Sequence, residues 1–189
     1  MDFIPDAKMG NWEVSTVEVP EDSISEMISK IKTGRGVPGG TYKYLKHNNE
    51  TVMSNTPNEL MDFYHLVRAA NGSVLINGLG LGCLVNALLL KEEIVKVVVI
   101  EKNIEVIELV GTYFKDERLT IIHEDAFKYT PKKGEKYDFV WHDIWNYITS
   151  DNLEEMNILH KKYKKFTRFQ DSWERKTCLR LRRSESQLY

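Results

Sequence analysis

The rhythm of apolar and polar positions changes at Val74. Before it, apolar residues are sparse and regularly spaced. Residues 11–20, "NWEVSTVEVP", alternate as a half-buried strand does. Within 22–32, Ile24, Met27, Ile28 and Ile31 fall at helical spacing. "TGRGVPGG", 33–40, is a glycine–proline stretch that predicts a flexible loop, either a lid or a linker. "TYKYLKHNNETVMSN" reads as a hairpin turning on "HNN". "TPNE", 56–59, fits a capping box, with Pro57 at the first helical position and Glu59 reaching back. It predicts a helix to about Ala70.

After Val74 the apolar runs lose their alternation. "VLING", "VKVVVIE", "LTIIHED" and "YDFVWHDIW" read as strands. The helical patterns "LGCLVNALLLKE" and "NIEVIELVGTYF" separate the first three. Strands apolar on both faces, alternating with helices, predict an α/β fold: a Rossmann-like, doubly wound, mostly parallel sheet. "DNLEEMNILHKKYKKF" continues as a helix, and "DSWERKTCLRLRR" reads as a second, basic one. Residues 151–189 contain no run like "VKVVVI", so the sheet is expected to be shortened. Three segments follow: a β-rich region over 1–55, a nucleotide-binding core over 56–150 and a basic helical extension over 151–189. The edge left by the missing strands needs a cover, either the basic tail or a second copy in a homodimer.

Charge adds one feature. The net charge is only −2, yet 161–183 carries ten Lys/Arg against two acids. Such a tail reads as a solvated face or subunit contact before it reads as a nucleic-acid site. The two cysteines, Cys83 and Cys178, match no metal spacing and fit a reducing compartment. No metal is expected. The start "MDFIPDAKMG" has no signal-peptide pattern, and Leu79–Leu90 is too short to span a bilayer. A cytoplasmic protein without a membrane partner is the expectation.

The candidate chemistry begins at "NGLGLG". Gly78, Gly80 and Gly82 stand between a strand and a helix, where a glycine turn lets a nucleotide approach the backbone. A dinucleotide fingerprint needs a sixth-position glycine, and Cys83 stands there. Glu101 closes the second strand, where a carboxylate accepts ribose hydroxyls. Asp125 and Ala126 follow the third strand, placed for an adenine edge. Asp143 ends the fourth, over the centre of the same cleft.

Together "VLINGLGLG", "VVVIEKN", "HEDAFKY" and "YDFVWHDIW" resemble the class I S-adenosylmethionine-dependent methyltransferases, motif by motif. The closest branch is spermidine-synthase-like. The whole chain is also similar to small phage and bacterial proteins classed as S-adenosylmethionine-dependent methyltransferases. The resemblance implies S-adenosylmethionine as cofactor. It places Tyr64 and His65 of "DFYHLV" at the Tyr-His pair that precedes the first strand in that branch, closing the pocket, with His65 a cofactor-binding candidate. It also singles out two departures. Polyamine aminopropyltransferases carry an Asp inside the glycine turn, where this chain has Leu81. They carry a second acid where this chain has Asn146.

These departures favour methyl transfer, to an acceptor that is not identified, over aminopropyl transfer. A third reading is a binding module without catalysis. Asp143 and His142 are the candidates at the reaction centre, the first orienting an amine or the cofactor amino group and the second accepting a proton. Tyr64 completes the candidate catalytic group. Trp141 or Trp145 is expected to wall the pocket.

Overall fold

The computed structural model describes residues 1–21, 23–33 and 36–187, without the side chains at 23, 25, 29, 32 and 33. Two residues of the glycine–proline loop, Gly34 and Arg35, lie outside the described residues, and so does Asp22.

The first four strands are β1 (Ala7–Met9), β2 (Trp12–Val19), β3 (Gly40–His47) and β4 (Glu50–Ser54). They form an antiparallel sheet in that order. The expected hairpin turns on Asn48 and Asn49, with φ of 51° and 66°. Asparagine tolerates this left-handed region better than most residues, and two in succession suit a tight hairpin turn. Helix α1 (Ser23–Thr33) is inserted between β2 and β3. Its stripe of Ile24, Met27, Ile28 and Ile31 is exposed.

The single helix expected over 56–70 is two: α2 (Pro57–Asp62) and α3 (Tyr64–Ala69). Phe63 leaves helical geometry at φ −109°, ψ 5° and is buried in the core. The capping box also differs. Thr56 makes no side-chain cap bond, and its hydroxyl pairs with Ser54 Oγ. Glu59 reaches past it to Ser54, accepting from N–H at 2.6 Å and from Oγ at 2.8 Å.

A second sheet, all parallel, runs in the order β7-β6-β5-β8-β9. It comprises β5 (Gly72–Asn77), β6 (Ile94–Glu101), β7 (Leu119–His123), β8 (Tyr137–His142) and β9 (Thr167–Ser172). The flanking helices are α4 (Cys83–Leu89), α5 (Ile104–Leu109), α6 (Asn152–Tyr163) and α7 (Arg175–Ser186). The period-two alternation of strands divides the apolar runs between two cores. Val74, Ile76, Val97, Val99 and Trp141 pack with α4, α5 and the N-terminal region. Leu75, Val98, Ile100 and Val140 pack on the other face against Leu159 and Tyr163 of α6.

The fifth strand, β9, corrects the expectation of a C-terminal segment without strands. Its sequence, "TRFQDS", is polar because it is an edge strand in which only Ser172 is buried. The edge is blunted from within. Tyr137 N–H donates to Phe166 C=O at 2.8 Å, and by alternation the polar backbone groups of Phe169 face outward. The Thr167 hydroxyl takes both: it donates to Phe169 C=O at 2.7 Å and accepts from Phe169 N–H at 3.2 Å. A self-bonded edge is a poor template for another strand. Among the described residues no helix is long and apolar enough to cross a membrane.

Candidate functional site

The carboxyl ends of β5, β6, β7 and β8 open into one cavity of about 430 Å³. That volume lies within the range of small-molecule sites. Gly78, Gly80, Glu101, Asp125, Ala126 and Asp143 all line it, so one wall gathers six of the residues singled out by sequence.

The turn after β5 is held by its neighbours. Gly78 has φ +99°, and a Cβ there would stand 2.0 Å from the carbonyl oxygen of Asp143. Gly80 has φ +53°, and its Cβ would meet Met53 Sδ at 2.5 Å. The same sulfur lies 3.3 Å from the N–H of Leu81. Glu101 spans two segments. Its Oε2 accepts from Leu79 N–H at 2.8 Å, and its Oε1 accepts from the N–H and side-chain amide of Asn103 at 2.8 and 3.0 Å. Each carboxylate oxygen has two acceptor directions, so Oε2 retains one. Asp125 folds its own loop by accepting from Phe127 N–H through Oδ1 at 2.8 Å.

The loop Asp125–Phe127 is gripped from beneath by α6. Tyr163 OH and Lys162 Nζ both donate to Ala126 C=O at 3.1 Å, and Lys162 also reaches Phe127 C=O at 2.6 Å. Tyr163 OH lies 3.3 Å from Asn77 Oδ1 as well. One buried phenol therefore touches both the Asp125–Phe127 loop and the strand that leads into the glycine turn.

Asp143 follows β8, with its N–H on Asn77 C=O at 2.8 Å. Desolvation by burial pushes its carboxyl up to about 7. The indole N–H of Trp141 lies beside it without reaching hydrogen-bond geometry and opposes the rise; Asp62 and Glu59 add to it. A carboxyl held near neutrality is suited to proton transfer.

Four expected residues are not brought to the cavity. His142 points to the opposite face of the sheet, as strand alternation requires next to Trp141 and Asp143. It is fully buried, with Nδ1 2.7 Å from Asn77 Nδ2 and Nε2 3.2 Å from Gln170 Oε1. Burial drives its basicity down to about 3. A neutral ring with both nitrogens engaged is a core hydrogen-bonder. Tyr64 and His65 fall beyond the break at Phe63 and are exposed on α3, His65 with its ring edge against Trp141. Gly82 caps α4 under the ring of Phe114, where a Cβ would be 2.6 Å from the ring. Of the two tryptophans expected as walls, Trp145 lines the cavity and Trp141 is buried in the core.

The structure adds residues that sequence reasoning did not reach. Glu59 and Asp62, one turn apart on α2, line the cavity. Trp173, just past β9, also lines it and donates its indole N–H to Asp62 at 2.9 Å. Glu155 of α6 accepts from Trp145 Nε1 at 2.7 Å. Tyr147 OH donates to Glu50 at 2.6 Å, joining the loop after β8 to the β3–β4 hairpin. Six carboxylates and one lysine, Lys102, line the cavity among the described residues. Leu81, one of the two departures from the aminopropyltransferase pattern, is buried in the first core. Its missing carboxylate is not a loss to the cavity lining.

Neither a family model nor a curated protein sequence matches the chain. Solved structures do. Spermidine synthase from Thermotoga maritima matches with 15% identity over 87% of this chain and 52% of its own, at a TM-score of 0.51. A dimethyladenosine transferase from Plasmodium falciparum matches with 24% identity over 47% of this chain and 32% of its own, at 0.39. The plantazolicin methyltransferase in complex with SAH matches with 14% identity over 56% and 39%, at 0.40. The chain thus spans about half or less of the length of each. The first match shows a shared Rossmann-like fold, and it extends over most of the chain.

Proposed function

We propose that the chain is an S-adenosylmethionine-dependent transferase that moves a methyl group to an acceptor molecule. One observation carries the reading: the glycine turn and the carboxylates of Glu101, Asp125 and Asp143, from four strand ends, line one cavity. The donor set suits the cofactor. Glu101 Oε2 keeps an acceptor direction for a ribose hydroxyl. Asp125 Oδ2 and Ala126 N–H are placed for the two kinds of hydrogen bond on an adenine edge. When bound, S-adenosylmethionine supplies a sulfonium with an electrophilic methyl carbon. The chain positions the acceptor and excludes water, effects worth several orders of magnitude when geometry is well held. Asp143 is placed to orient the acceptor and hold its proton.

The acidic lining favours a second reading, aminopropyl transfer to an amine. Glu59, Asp62 and Glu155 add carboxylates beyond those a nucleoside needs. An amine and a decarboxylated cofactor would both be cations without a carboxylate to be repelled. Calorimetry with S-adenosylmethionine, its decarboxylated form and S-adenosylhomocysteine separates the readings. Tighter binding of S-adenosylmethionine than of the decarboxylated form is expected for methyl transfer, and the reverse order selects aminopropyl transfer. Binding without turnover in any extract leaves a binding module. Silence with all three ligands removes the cofactor assignment.

A further inference from the structure

The end of the molecule opposite the cavity has the opposite charge. Helix α6 begins beside the cavity, where Glu155 lines it; its last turn carries Lys161 and Lys162, and Lys164 and Lys165 follow it. Phe166 accepts from Tyr137 N–H, the first residue of β8. Phe166, which follows Lys164 and Lys165, therefore stands one strand length, about 20 Å, from Asp143 at the other end of β8.

A second segment comes to the same place. Thr130 lines a hollow with Lys161, Lys162, Lys164, Lys165 and Phe166, and Lys136 Nζ contacts the carbonyl of Lys165. The short loop between these two contacts carries Lys132 and Lys133, both exposed. Among the described residues none of Lys132, Lys133, Lys136, Lys161, Lys164 and Lys165 forms an ion pair with a carboxylate. Lys162 differs, being engaged with the carbonyls of Ala126 and Phe127. Two chain segments thus converge to concentrate six lysines at one end of a protein whose net charge is −2.

We propose that this surface binds the phosphate backbone of a nucleic acid. Charge complementarity selects the partner. Backbone binding needs cations and no apolar centre, because release of condensed counterions drives it. A protein interface needs a desolvated apolar core, and a membrane-surface helix needs an apolar face. The hollow offers neither, since Phe166, its one aromatic, is 8% exposed. Lysines are point charges that position a backbone without reading bases, so binding is sequence-independent. The distance from Asp143 makes the surface a tether rather than part of the transfer site. The proposal is independent of which group the cavity transfers.

Fluorescence anisotropy with labelled single-stranded RNA and DNA of about 30 nucleotides tests it. Six neutralised phosphates give a slope of log K against log salt of about −4 on single strands. The variant K161E/K164E/K165E is expected to bind at least about tenfold more weakly, with a slope shallower by about 2. The variant K8E/K30E/K115E carries the same charge change elsewhere and should stay within about twofold of the parent. Calorimetric cofactor affinity should be the same in both. Equal losses in the two variants, no binding at low salt, or tighter binding to phosphatidylserine vesicles or polyglutamate than to RNA would each overturn the proposal.

Discussion

The Cβ that Gly78 lacks would stand 2.0 Å from the carbonyl oxygen of Asp143. The turn after β5 and the loop after β8 therefore touch through backbone, at the point where the glycine wall of the cavity meets its acid. Neither segment can shift to make room, because Asp143 N–H is tied to Asn77 and Gly78 N–H to Ile100 C=O, each at 2.8 Å. Gly78→Ala adds this clash to the strain of a side chain at φ +99°. It should cost about 3 kcal/mol or more. Gly134 is the control: its φ is +85°, and a Cβ there meets nothing within 4 Å. Gly134→Ala should cost only about 1–2 kcal/mol, the left-handed strain alone. Urea midpoints of the two variants check the difference, and equal midpoints would remove the contact from the account of the turn.

Asp143 makes two quantities depend on pH. Its carboxyl titrates near 3.8 in an unfolded chain and near 7 when folded. Between those values the folded chain holds a proton that the unfolded chain has released, so this residue's contribution to stability is lost as pH rises from about 4 to about 7. Asp143→Asn abolishes the effect, and the stability of the variant relative to the parent should grow over that window. As pH rises through about 7 the folded carboxyl itself acquires charge. Affinity for the sulfonium cofactor should then rise with pH more steeply than affinity for neutral S-adenosylhomocysteine. Turnover of the variant should fall by about 10²–10⁴-fold. A loss below about threefold would remove Asp143 from the reaction centre.

Tyr163 and Lys162 share the carbonyl of Ala126, so their effects should not add. Tyr163→Phe removes one hydrogen bond and should cost about 1 kcal/mol of stability. If the Asp125–Phe127 loop binds adenine, cofactor affinity should also fall several-fold, although neither side chain lines the cavity. Lys162→Met should act in the same direction through Ala126 and Phe127. The double variant should depart from additivity by about 0.5 kcal/mol or more. Calorimetry on the four proteins measures the coupling. Additive losses would mean that the loop is not held as a unit.

How much of this was legible differs by element. Strands β5, β6 and β8 announced themselves because burial on both faces demands unbroken apolar runs, and their ends delivered Gly78, Glu101 and Asp143. Strand β9 did not, because an edge strand stays polar and its pairing is set by the end of α6 rather than by its own composition. The break at Phe63 has no glycine or proline to mark it; it follows from the core's hold on one aromatic ring. Glu59 and Asp62 precede that break on α2 and line the cavity, a placement readable only in three dimensions. Glu59 was instead visible as a capping residue, and it does reach back, to Ser54. The case of His142 is different, because the signal was present. Adjacent residues of a strand face opposite sides, so His142 and Asp143 were poor candidates for one site.

His142 gives the last prediction. Its ring is held neutral, with basicity near 3 against 6.5 when unfolded. Between those values the unfolded chain binds a proton that the folded chain refuses. Stability is therefore lost as pH falls below about 6.5, by up to about 1.4 kcal/mol per pH unit. His142→Asn keeps a polar group between Asn77 and Gln170 but cannot titrate. The variant should be less stable near pH 7, through poorer packing, and its acid slope should be smaller by one proton. The gap between variant and parent should therefore narrow as pH falls from about 6.5 toward 4. Cofactor affinity should stay within about threefold, because the ring lies on the opposite face from the cavity. Denaturant unfolding at several pH values, paired with calorimetry at pH 7, checks both. A parallel acid slope would mean that His142 is not buried neutral, and a large loss of affinity would return it to the site.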